Sequence, residues 1–207
     1  MGVASVRRTV EECARLGIEQ LTLFCLSSEN WKRPQQELDF LMHLLEQYMI
    51  EERRTIMENQ IQVHVIGRRD GIPEQTWKQM ETTIRMSADN QKTRLCLAIN
   101  YGGRAEIVDA VQELARQVKT GKLAPDDITE ERISQSLYTA RMPEPDLLIR
   151  TAGEMRLSNF LLWQISYAEL WITQKCWPEF MEDDLHQAIQ TFVNRERRFG
   201  GLSSDGI

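Results

Sequence analysis

Leu21-Thr22-Leu23-Phe24-Cys25-Leu26, running directly into Ser27-Ser28-Glu29-Asn30-Trp31-Lys32-Arg33, is the stretch from which the fold can be read. An apolar run closed by a polar turn is the pattern of a strand buried in a parallel sheet. Before it, Val3, Val6, Val10, Cys13 and Ala14 recur at helical spacing, and Gly17 closes that helix. The same unit then repeats. Leu38, Leu41, Leu45, Tyr48 and Met49 mark a helix after Pro34, followed by a strand over 61–66. Trp77, Met80 and Ile84 lie on a helix that leads to a strand over 95–99, and Ile107, Val108, Val111, Leu114 and Ala115 line the next helix. Short strands are predicted over 146–149 and 170–173, with Leu185, Ile189 and Phe192 on a closing helix. Alternation of this kind implies an α/β fold: a single domain, with a mostly parallel central sheet flanked by helices. The domain opens in a helix where a strand is the usual start, as if a first strand were missing. Residues 119–127 read as an exposed loop and 203–207 as a flexible tail.

Composition narrows the function classes. The 207 residues suit one domain with a sizeable core. A formal charge of -6 argues against a general nucleic-acid binder, and no apolar run approaches the ~20 residues of a transmembrane segment. Cys13, Cys25, Cys96 and Cys176 form no Cys-x-x-Cys pair and read as core thiols of a cytoplasmic protein, since residues 1–8 lack a secretory apolar stretch. No P-loop, dinucleotide fingerprint, Gly-x-Ser-x-Gly or His-Glu-x-x-His spacing occurs, and His43, His64 and His186 are scattered.

In open parallel sheets ligands bind beyond the carboxyl ends of the strands. Here those ends lead into 27–33, Gly67-Arg68-Arg69-Asp70-Gly71, Asn100-Tyr101-Gly102-Gly103-Arg104 and Arg150-Thr151-Ala152-Gly153, each with at least one arginine. The guanidinium fork matches phosphate oxygens in bidentate geometry, so Arg33, Arg104, Arg150 and Arg156 are candidates for holding a diphosphate. Arg68 and Arg69 read either as a solvated turn or as ligand contacts. Gly102-Gly103 reads either as a close approach of backbone to an anion at a helix N-terminus or as a tight turn.

These segments, with Pro145-Asp146-Leu147-Leu148-Ile149-Arg150-Thr151, Glu154-Met155-Arg156-Leu157-Ser158-Asn159-Phe160-Leu161-Leu162-Trp163-Gln164, Tyr167-Ala168-Glu169-Leu170, Trp177-Pro178-Glu179-Phe180 and Arg197-Arg198-Phe199-Gly200-Gly201, resemble in order and spacing the cis-prenyltransferases of the undecaprenyl diphosphate synthase type. The resemblance covers 1–202, which it makes one cis-prenyltransferase domain. It implies condensation of isopentenyl diphosphate onto an allylic diphosphate such as farnesyl diphosphate, with Mg2+ as cofactor and a cis-polyprenyl diphosphate as product. Arg150, Arg156, Leu157 and Ser158 would hold isopentenyl diphosphate, Glu169 would be a magnesium ligand, and Ser27, Ser28, Glu29, Trp31 and Arg33 would contact substrate. Trp31 alternatively packs on the following helix. Asn30 matches a residue assigned as proton acceptor, but a neutral amide is a poor base. Orienting the substrate is its better role, with a diphosphate oxygen or an adjacent group taking the proton. Phe40, Leu41, Leu44, Leu45 and Met49 with Trp77, Met80 and Ile84 either wall a prenyl tunnel or belong to the ordinary core.

Arg198-Phe199-Gly200 resembles the terminal Arg-x-Gly motif that reaches a neighbouring subunit's site, which implies a homodimer through the C-terminal region. A basic helix end with a glycine cap is the other reading. Product release allows contact with a membrane surface. The chain departs from the family at Ala152, where Arg-Thr-Gly-Gly-Glu is usual, a change that matters if this residue needs a positive φ. The family's Asp-Gly-Asn-Gly-Arg-Trp-Ala segment, with the catalytic aspartate, is also not among these residues. The expectation from sequence is therefore a prenyltransferase chain with negligible turnover as written, the alternative being a noncatalytic partner subunit or an inactive fragment.

Overall fold

A computed structural model describes residues 2–195, with the side chains of Gly2 and Val3 left out of the description. The terminal Arg-x-Gly motif and the 203–207 tail lie outside the described residues. The described residues gather into two compact units, 10–143 with 157–163, and 2–9 with 144–156 and 164–195.

The larger unit is built on three parallel strands in the order β1-β3-β2: β1 (Gln20–Ser27), β2 (Ile61–Ile66) and β3 (Thr93–Tyr101). β3 is central and buried along nearly its whole length, as expected of a strand paired on both edges and covered on both faces. β1 differs from the sequence expectation. It is a half-buried edge strand in which Leu26 alone is buried, and Cys25 falls at a register shift and is exposed. The core-thiol reading holds for Cys13 and Cys96 but not for Cys25 or Cys176, which is also exposed.

The helices form where the apolar spacing places them, but each buries only part of its predicted stripe: Leu41, Leu45 and Tyr48, Trp77 and Ile84, and Ile189 and Phe192 are half-buried. α2 (Gln35–Glu51) buries Leu38, Met42 and Met49, and α4 (Glu74–Met86) buries Met80 with Thr76 and Thr83. Thr83 is tolerated there because its hydroxyl donates to the Met49 carbonyl at 2.7 Å. In α5 (Gly103–Lys119) the buried face is Glu106, Ala110 and Leu114, while Val108 and Val111 are half exposed. Glu106 takes the interior position because the Tyr101 hydroxyl and the Tyr138 backbone N–H donate to its two oxygens at 2.5 and 2.9 Å. Short helices α3 (Arg53–Glu58) and α6 (Glu130–Ser136) complete this unit. α1 (Gly2–Leu16) buries Val10, Cys13 and Ala14.

The smaller unit holds a separate parallel pair, β4 (Leu147–Arg150) and β5 (Glu169–Ile172), in the register Leu147 to Glu169 and Arg150 to Ile172. Its helix α7 (Glu182–Val193) buries Asp184, Leu185 and Ala188. The Asp184 carboxylate accepts from the Met181 backbone N–H at 2.9 Å and from Lys175 Nζ at 2.7 and 3.0 Å, so it closes the helix start and holds a cation at once.

Candidate functional site

In the larger unit the carboxyl ends of all three strands converge on one group of polar turns. β1 passes into a 3₁₀ turn, η1 (Ser28–Lys32), whose start is closed by its own residues: the Ser27 backbone N–H donates to Asn30 Oδ1 at 2.9 Å. The amide oxygen of Asn30 thus stabilises the turn that carries it, which suits an orienting residue better than a base. On one side of the turn, the Trp31 indole N–H donates to Asn100 Oδ1. Asn100 sits at φ +48, a left-handed conformation that asparagine tolerates, and its amide donates to the carbonyls of Arg68 and Asp70 at 3.0 and 2.9 Å. One side chain at the end of β3 therefore ties down the turns after β1 and β2. The Trp31 ring also packs over Gly71, where an added Cβ would lie 3.2 Å from it.

On the other side of the turn stands Asn159. Its Nδ2 donates to Glu29 Oε1 at 2.7 Å, its Oδ1 accepts from the Arg104 backbone N–H at 2.9 Å, and its carbonyl accepts from the Gly103 N–H at 2.7 Å. The second Glu29 oxygen accepts from Ser28 Oγ at 3.3 Å. Burial pushes the Glu29 carboxyl up, but the hydrogen bonds from Asn159, its own backbone and the neighbouring serines outweigh this and hold it below the usual carboxylate range. Gly102 is needed for close approach, as its φ of -160 is ordinary. A Cβ there would lie 2.5 Å from Ser28 Oγ and 2.7 Å from Asn159 Nδ2.

The predicted arginines divide. Arg33 is ion-paired with Glu37 at 2.6 Å, one helical turn on, and Arg104 is exposed at the start of α5. Arg68 lies in a partly exposed turn with its guanidinium already engaged. It grips Asp109 through two nitrogens at 2.8 and 2.6 Å, and this guanidinium, with Tyr138 donating to the same carboxylate, holds Asp109 below the usual range. Arg69 pairs with Glu74 at 2.5 Å and lies over the Trp77 ring, 5.2 Å from its centroid. Leu157 and Ser158 belong to an exposed stretch, with Ser158 at φ +52.

In the smaller unit Arg150 ends β4, and its Nε is buried with no hydrogen-bond partner among the described residues. A buried donor left unmatched costs about 1–3 kcal/mol. Arg156 is ion-paired with Glu154. Glu169 begins β5, opposite Leu147, and so lies at the other end of this strand pair from Arg150, about 10 Å along the strands at ~3.3 Å per residue. Its carboxylate pairs with Arg195 at 2.5 Å. Among the described residues no group of three or more His, Cys, Asp or Glu side chains could hold a metal. Magnesium is commonly bound by one or two carboxylates with phosphate oxygens and water completing the shell, and Glu169 offers one carboxylate, which here is taken up by Arg195. The donor set fits magnesium in that way only.

Asn100 and Asn159 lie inside quoted motifs, yet nothing in the sequence reading gave them a role. A signal was present in each: a polar residue with a taste for left-handed backbone, placed where a strand or turn reverses.

A parallel α/β protein whose strand ends gather polar, glycine-rich turns belongs to the class that carries its ligand site at those ends. Comparison with known proteins specifies it further. The family described as "Putative undecaprenyl diphosphate synthase" matches residues 1–200. The isoprenyl transferase of Rhodopirellula baltica is 52% identical over 202 residues, covering 98% of this chain and 83% of that protein. The isoprenyl transferase of Geobacillus kaustophilus is 44% identical over 203 residues, covering 98% and 79%. Lavandulyl diphosphate synthase from Lavandula x intermedia, solved with dimethylallyl diphosphate, superposes with a TM-score of 0.93 at 38% identity over 96% of this chain and 86% of that one. The chain belongs to the cis-prenyltransferase family.

Proposed function

We propose that this chain, acting as one domain over 1–202, binds isopentenyl diphosphate and an allylic diphosphate such as farnesyl diphosphate and joins them into a cis-polyprenyl diphosphate. The allylic carbon–oxygen bond to diphosphate breaks, a carbon–carbon bond forms to the terminal alkene carbon of isopentenyl diphosphate, and the proton lost from that unit leaves with the released diphosphate. The observation that carries this reading is the convergence of the family-matching turns at the carboxyl ends of β1, β2 and β3. Ser27, Ser28, Glu29, Trp31 and Arg33 contact substrate there, and Asn30 orients it. Arg150, Arg156, Leu157 and Ser158 hold isopentenyl diphosphate, and the unpartnered Arg150 Nε supports the first of these assignments. Magnesium, when bound, supplies positive charge to the departing diphosphate, and Glu169 with phosphate oxygens would hold it.

The working form is a cytoplasmic homodimer joined through the C-terminal region, with product leaving at a membrane surface. Among the described residues no helix is long and apolar enough to cross a membrane. Titration calorimetry with isopentenyl diphosphate tests the site. Arg150→Ala and Arg156→Ala should each weaken binding about 10- to 150-fold, the equivalent of losing a hydrogen bond to a charged group. No binding by the unaltered chain, or unchanged affinity in both variants, overturns the assignment.

A further inference from the structure

We propose that Asn159 is a positioning residue of this site, acting through Glu29 to hold the η1 turn, with its Asn30 and Trp31, against the first turn of α5. The proposal rests on reading 27–33 as the substrate-contacting turn. Three hydrogen bonds reach Asn159 from different directions: its amide N–H donates to Glu29, its amide oxygen accepts from Arg104 N–H, and its carbonyl accepts from Gly103 N–H. The residue bends at φ +61 to make them, and Gly102 leaves the room they need. α5 has no cap from its own N-cap residue, Gly102, so the Asn159 oxygen provides that service from outside the helix. The amide's two ends thus do different jobs. The oxygen secures the helix, and the nitrogen secures the turn that meets the ligand.

That division allows a test in which stability and positioning separate. Asn159→Asp keeps an acceptor for Arg104 N–H and places a carboxylate at a helix N-terminus, where it is favourable, but it sets two carboxylates against each other at Glu29. The variant should melt no lower than the unaltered chain while binding farnesyl diphosphate about tenfold more weakly, read by calorimetry without isopentenyl diphosphate. Adding Glu29→Gln, whose amide can donate to Asp, remakes the cross-link, and because Glu29 itself contacts substrate this rescue is read without ligand and not in affinity. A residue with a purely structural role would show affinity following melting temperature.

A ligand-free arm uses the Trp31 indole N–H resonance, which should shift in Asn159→Asp and return toward its original position in the double variant. If farnesyl diphosphate fails to bind the unaltered chain while that resonance behaves as stated, the functional reading fails and the positioning role stands. Unaltered affinity and an unmoved indole resonance in Asn159→Asp, or a large loss of melting temperature in that variant, overturn the proposal.

Discussion

Replacing Ala152 with glycine should make the protein more stable, although it removes a side-chain atom. Ala152 is held at φ +59, followed by Gly153 at φ +65, because both backbone N–H groups are committed: Ala152 donates to the Lys175 carbonyl at 2.7 Å and Gly153 to that of Thr173 at 2.8 Å. The left-handed conformation costs an L-residue roughly 1–2 kcal/mol that glycine does not incur. Against this, glycine adds conformational freedom to the unfolded chain, worth about 0.4–1 kcal/mol. Ala152 is exposed, so little packing is lost. The net gain is about 0.5–1 kcal/mol, or roughly 1–4 °C in melting temperature for a chain of this size. Gly153→Ala is the opposite arm. Its added Cβ would lie 2.5 Å from the Gln174 side-chain oxygen, which can swing away, but the φ of +65 remains. By the same two contributions that variant should lose about 0.5–1 kcal/mol. Scanning calorimetry on the three proteins decides the matter: an Ala152→Gly melting temperature equal to or below the original would refute the reasoning, as would an unaffected Gly153→Ala.

Gly67→Ala should be far more harmful, since a Cβ at φ +116 would lie 2.0 Å from the Ile99 carbonyl oxygen. Strain and overpacking together suggest a loss of about 2–5 kcal/mol, measurable by urea denaturation, and a loss below about 1 kcal/mol would contradict the geometry. Asp184 makes stability depend on acid: burial raises its pKa, but Lys175 and the Met181 N–H lower it further, leaving it net depressed. Its contribution is therefore complete above the unfolded value near ~4 and is lost as pH falls through the folded one. Asp184→Asn should be less stable at neutral pH, with the difference shrinking in acid melts; a constant difference would rule out the ion pair as the cause. Sedimentation equilibrium at micromolar concentration should show a homodimer, and a monomer alone would remove that part of the functional reading.

How far the sequence could be read depended on whether a residue's environment was local. The strand at 61–66 emerges with its observed bounds because apolar and polar residues alternate there between Gln60 at φ +55 and Gly67 at φ +116, both strand-ending conformations. The run at 21–26 is equally apolar, yet it is less buried than its composition implies, because position in the sheet follows from which strands pair, and among the described residues β1 pairs with β3 alone. The α5 stripe was misplaced for a similar reason: nothing near Glu106 in sequence reveals that Tyr138 will meet it. Among site residues, the motif turns were legible as polar strand ends, whereas the partners of Arg33 and Arg68 and the cross-links made by Asn100 and Asn159 depend on contacts that, Arg33 excepted, span tens of residues.

Among the described residues β3 pairs on both edges, whereas β1 and β2 each pair on one. Amide hydrogens of such a strand exchange only through the larger openings of the unit, while turns such as η1 exchange through small local ones. Asn100, at the end of β3, therefore anchors two fast-opening turns to the slowest-opening part of the unit. A ligand that engages those turns should slow deuterium uptake at 27–33 and 67–71 and leave that of β3 almost unaltered. The sheet then acts as a fixed reference, and the free energy of binding is registered almost entirely in segments that rarely need the rest of the unit to open with them.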